Sequence, residues 1–92
     1  MINVRMTKLK ENIDAQVPNN VSVGDTRDGV ILDKTCLPEV GKCFNMVYPN
    51  RFSVRQTSRV TEILKPWNGE SVKFKTYNSV YEVRKHDSNI IN

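Results

Sequence analysis

The stretch from Thr57 to Arg84, TSRVTEILKPWNGESVKFKTYNSVYEVR, decides how the rest of the chain is read. Val72, Phe74 and Thr76 alternate with Lys73 and Lys75, the period of two that buries one face of a strand and wets the other. Upstream, Arg59 to Leu64 is rich in β-branched residues, which suit a pleated surface. Pro66 then ends any pairing, because it has no N–H to donate. Asn68-Gly69 is the only Asn-Gly pair in the chain, and these residues tolerate the positive φ angles of a tight reversal. An antiparallel hairpin is predicted, with a loop longer than two residues, since Lys65 to Glu70 must fit between the strands. After Thr76, Asn78-Ser79 reads as a bulge or tight turn before another alternating run through Tyr81 and Val83. Parity alone does not fix the register across that point.

Working back from this hairpin, Lys42 to Tyr48 reads as a strand whose core face is Phe44, Met46 and Tyr48. Gly29 to Lys34 carries the continuous apolar run Val30-Ile31-Leu32 and is predicted as another strand, with Pro38 and Gly41 breaking the chain after it. Arg51 to Arg59 follows the Pro49-Asn50 turn. In an uninterrupted strand Arg51, Arg55 and Arg59 share a face with Ser53 and Thr57, while Phe52 and Val54 point inward. The apolar parity has changed by Ile63, which calls for a bulge between Gln56 and Glu62. Residues 1–28 support two readings. Ile2, Val4 and Met6 alternate as a strand would, whereas Leu9, Ile13 and Val17 recur as a short helix over Lys8 to Gln16 would; an N-terminal arm fits equally. Val21 and Val23 suit a short edge strand. The expected fold is mainly β, a small SH3-like or OB-like barrel or roll of about five strands. Residues 29–84 form its core, residues 1–28 an arm, strand or helix, and residues 85–92 a polar tail.

At 92 residues, with 38% hydrophobic and 26% charged residues, the chain has the composition of one soluble globular domain. No apolar run approaches the length of a membrane span, and residues 1–10 lack the apolar stretch of a signal peptide; a cytoplasmic location is expected. Cys36 and Cys43 flank Leu37 to Lys42, and free thiols are expected in a reducing compartment. Two cysteines and a distant His86 do not make a zinc site. His86 beside Asp87 lacks the rigid neighbours a triad needs, the four glycines are scattered, and no phosphate loop is present. No enzyme activity, metal or cofactor is expected.

Charge distribution points further. Residues 1–46 hold six basic and six acidic side chains, residues 47–92 eight and four, so the net charge of +4 belongs to the second half. An anionic partner, nucleic acid or a nucleotide phosphate, follows. Its candidate binding residues are Arg51, Arg55, Arg59, Lys73 and Lys75 on a wet sheet face, with Trp67 and Tyr77 as stacking residues. The same basic row is also what an ordinary solvated sheet face looks like, and Trp67 would equally fold back to cap a barrel end. Nothing in the composition requires or forbids a homodimer.

Three segments, Leu37-Pro-Glu-Val-Gly-Lys-Cys-Phe44, Thr57-Ser-Arg-Val-Thr-Glu-Ile63 and Phe74-Lys-Thr-Tyr-Asn-Ser-Val-Tyr-Glu-Val83, together resemble a pattern in small β-barrel proteins of phages and bacterial mobile elements. The resemblance spans residues 29–84. It implies a phage or prophage origin and, with it, a second class of function: an anti-defence inhibitor or accessory protein that docks on a host protein.

Overall fold

The computed structural model describes residues 1–11, 22–48 and 53–86. Among the described residues six strands are formed: β1 (Ile2–Glu11), β2 (Thr26–Ile31), β3 (Cys43–Tyr48), β4 (Ser53–Lys65), β5 (Ser71–Thr76) and β6 (Ser79–Lys85). Each pairs antiparallel with its neighbour in sequence, and β1 with β6 closes the barrel. Closure gives every one of these strands a neighbour on both sides, which protects the sheet from pairing with other chains. Among the described residues no helix is long and apolar enough to cross a membrane.

The barrel has six strands where the sequence suggests about five, and the added one is β1. The alternation Ile2, Val4, Met6 governs it, and it pairs with β2 on one side and β6 on the other. Two ladders satisfy its backbone. A helix over Lys8–Gln16 with so few apolar side chains has no such support, and its first residues are instead the end of β1; its remainder lies outside the described residues. Residues 2–11 are barrel wall, not an arm. Val23 sits in a turn, and Val21 lies outside the described residues.

β2 ends earlier than the run Val30-Ile31-Leu32 suggests. The side chain of Asp33 accepts hydrogen bonds from N and Oγ1 of Thr35 and caps the 3-10 turn Lys34–Cys36, so a local cap replaces strand pairing. β4, by contrast, is one strand of thirteen residues. Its ladder to β3 slips between Asn45↔Gln56 and Cys43↔Arg59, placing the expected bulge within Gln56–Arg59. Thr57 satisfies the groups this slip leaves over: its Oγ1 accepts from Phe44 N at 3.1 Å and donates to Ser58 O at 2.7 Å. In the hairpin loop, Asn68 Oδ1 accepts from Glu70 N and Ser71 N, and Gly69 takes φ +96°.

The interior is layered. Val4, Ile31, Phe44, Val60, Phe74 and Val83, one from each strand, are all buried in the core cluster. Phe44 and Phe74 meet edge to face, ring centres 5.4 Å apart. Ile2, Ile63, Leu37, Cys36 and Trp67 pack against this cluster; the β4–β5 loop thus folds Trp67 back onto the lower end. Toward the other end, where β1, β3 and β5 terminate, the next inward positions are Met6, Gly29, Met46, Thr57, Thr76 and Tyr81. All but Gly29 are buried. A Cβ at Gly29 would lie 2.6 Å from Met46 Cγ, so the glycine makes room for that side chain. One step further, the inward positions on β1, β2, β3, β4 and β6 are Lys8, Arg27, Tyr48, Arg55 and Ser79. The apolar interior therefore ends in a layer rich in cations.

Candidate anion-binding surface

Register decides which basic side chains meet on the outside. Phe74 pairs with Ile63 and Tyr81 on the inner face, so Lys73 and Lys75 face outward. Lys73 stands between Lys65 on β4 and Glu82 on β6, and Lys75 between Glu62 and Val80. Lys65, Lys73 and Arg84, with Glu70, Glu82, Ser71 and the loop residues Pro66 and Asn68, line a groove of about 490 Å³. Arg84 Nη2 lies 3.4 Å from Glu82 Oε2. Lys65 and Lys73 are direct cross-strand partners of like charge, an arrangement that destabilises a sheet. A bound anion would reverse that sign.

The residues expected at the site separate. Lys73 is in the groove and Lys75 beside it. Arg59 is exposed on the outer face opposite Cys43. Exposed Tyr77 adjoins it, its N–H donating to Arg59 O at 3.2 Å. Trp67 is half-buried against the core, outside the groove. Arg51 and Phe52 lie outside the described residues. Two expectations are corrected. Val54 is 58% exposed because it pairs with outward Val47, and Arg55 points inward because it pairs with Met46, which is fully buried. The extra residue between Gln56 and Arg59 then turns Arg59 to the outside, so Arg55 and Arg59 do not form one row.

Lys65 and Arg84 join this surface without a clear signal in the sequence. Lys65 reads as loop beside Pro66, and Arg84 enters through the β5–β6 register, which parity leaves open. A third group that the sequence does not announce lies round the barrel: Arg5 Nε and Nη2 donate to Asp28 Oδ1 and Oδ2 at 2.6 and 2.9 Å. These bonds hold the Asp28 carboxyl below the usual aspartate range and raise the Arg5 guanidinium. Arg5 is thus neutralised. His86 Nε2 lies 3.8 Å from the same carboxylate.

On the opposite side of the barrel, Val30, Leu32, Leu37, Val47 and Val54 line a second groove of about 480 Å³, with Cys36, Cys43, Glu39 and Lys42 at its margins. Both cysteines are free thiols. β2 and β3 share only the pairing Val30↔Val47 here. Comparison with protein-family models, curated proteins and solved structures finds no match.

Proposed function

We propose that the protein is a non-enzymatic binding module for an anionic ligand, the backbone of single-stranded nucleic acid or a nucleotide phosphate. The observation that carries this reading is the pairing of Lys65 with Lys73 in a groove completed by Arg84. Lys73 also faces Glu82, which Arg84 shares, so the groove holds three cations against two carboxylates and keeps a net positive charge that a bound anion would offset. Arg59 and exposed Tyr77 extend the surface along β4 and offer a charge and a stacking face. Binding of a labelled oligonucleotide should weaken steeply as salt rises. In the double variant Lys65→Gln, Lys73→Gln the slope of log affinity against log salt should fall by about 1.4, roughly 0.7 for each single-strand phosphate that is no longer neutralised. Binding that ignores both salt and these lysines would remove the reading.

A second reading, docking on a protein partner such as a host defence protein, is favoured by the apolar groove. Leu32 and Val54 are exposed large apolar residues at its rim, the kind of surface that marks an interaction site. It predicts a stoichiometric partner that stays bound at moderate salt and dissociates from Val54→Asp.

A further inference from the structure

The strongest unexplained feature is the cation layer at the upper mouth of the barrel. Lys8 continues the inward phase of Val4 and Met6, pairs with buried Tyr81, and its side chain is 0% exposed. Its Nζ lies 2.5 Å from Glu11 Oε1, a carboxylate that is half in solvent. Arg27 stands on the inward phase of β2 opposite Met6, and its Nη1 donates to the carbonyl of Thr26. Arg55 stands on the inward phase of β4, and its Nε is buried without a hydrogen-bond partner. Burying cations in a barrel interior is unfavourable unless each is matched. Among the described groups, Lys8 is paired with Glu11 and the carboxylate of Asp25 accepts from Ser22 N, while neither carboxylate is bound to Arg27 or to Arg55, whose Nε has no hydrogen-bond partner.

We infer that this mouth is a receptor for a phosphate monoester group, held by Arg55 and Arg27 with Lys8 beneath. Two guanidinium groups without a carboxylate partner among the described residues suit a monoester, which carries about −1.5 to −2 at neutral pH. Guanidinium groups match the oxygens of a phosphate in geometry as well as charge, and the unpartnered Nε of Arg55 is a donor already desolvated. Arg27 and Arg55 are only half-buried, so a ligand can reach them from solvent. A six-strand barrel has a narrow interior. The site therefore suits a compact terminal phosphate rather than an internal phosphodiester of an extended strand. The ligand's anionic character rests on the function proposed above, but the site is a different one.

Free phosphate, a mononucleotide and a phosphorylated nucleic-acid end share this chemistry, and one set of titrations on the full chain separates them. Amide chemical shifts are followed with inorganic phosphate and with a nucleoside 5′-monophosphate. Anisotropy compares 5′-phosphorylated and 5′-hydroxyl oligonucleotides of one sequence. The 5′-phosphate should raise affinity about tenfold, the scale of a charge-assisted hydrogen bond. Arg55→Gln should abolish that difference, while Lys34→Gln, at the other end of the barrel, should keep it. Shifts caused by inorganic phosphate should centre on Lys8, Arg27 and Arg55, which decides the matter even if Arg55→Gln fails to fold. Equal affinity for the two oligonucleotides, with shifts on Lys65 and Lys73 or none, overturns the mouth site and leaves the outer groove standing. Phosphate shifts at the mouth with no oligonucleotide binding at either end do the reverse.

Discussion

Gly29 shows how much one residue can constrain this barrel. Its Cβ position is 2.6 Å from Met46 Cγ and 2.7 Å from Val47 O. The methionine side chain can move, but the carbonyl belongs to β3. Gly29→Ala should therefore destabilise the protein by about 1–3 kcal/mol, the scale of overpacking a filled core, as read from a urea midpoint. An unchanged midpoint would show that β2 and β3 separate freely at their single pairing. Asp28 makes a different kind of contribution. Because Arg5 lowers its folded-state pKa, the carboxylate favours the folded state above the normal aspartate range, near pH 4, and this contribution fades as pH falls through the lowered value. Asp28→Asn should be the less stable protein at neutral pH, and the gap should close below about pH 4 and in high salt. A gap that persists in acid would assign the effect to packing. Neither position stands out in the sequence: Gly29 reads as the start of a strand, and the partner of Asp28 is 23 residues away.

At the level of elements, strand identities are legible wherever one face alternates cleanly. Phe44-Met46-Tyr48 and Val72-Phe74-Thr76 face inward as their period requires, and Asn68-Gly69 turns where turn chemistry says it should. The long β4 is harder to read, since its parity is broken by the slip at Gln56–Arg59 and by two more, between Val60 and Glu62 and between Ile63 and Lys65. The change of parity announces a bulge, but only pairing shows which side of it each arginine lands on. Thr57 fixes that geometry. Thr57→Val keeps the shape and β-propensity but leaves Phe44 N, a buried donor, without its acceptor, which costs about 1–3 kcal/mol. Thr57→Ser, which keeps the hydroxyl, should cost less. Hydrogen exchange at the Phe44 amide should accelerate in Thr57→Val alone; equal exchange in both variants would mean another group serves that amide.

For the whole molecule, the same period-two logic that builds the core also carries charge into it. Ile2, Val4, Met6 and Lys8 are one inward series, and following it past the last apolar residue leads to the lysine. Lys8 is 0% exposed beside a half-exposed glutamate, and apolar replacement of a buried ion pair is often neutral or stabilising by about 1–4 kcal/mol. Lys8→Met should therefore match or exceed the unsubstituted protein in a denaturation midpoint while abolishing the preference for a 5′-phosphate. Glu11→Gln should do the opposite, lowering the midpoint by leaving Lys8 with less compensation while keeping or raising phosphate affinity, since the competing carboxylate is gone. Opposed signs in stability and binding across these two variants are what a functional cation layer requires. If Lys8→Met instead lowered stability as Glu11→Gln does and bound phosphate normally, the pair would be a structural lock of the barrel end, and its charge would need no ligand to explain it.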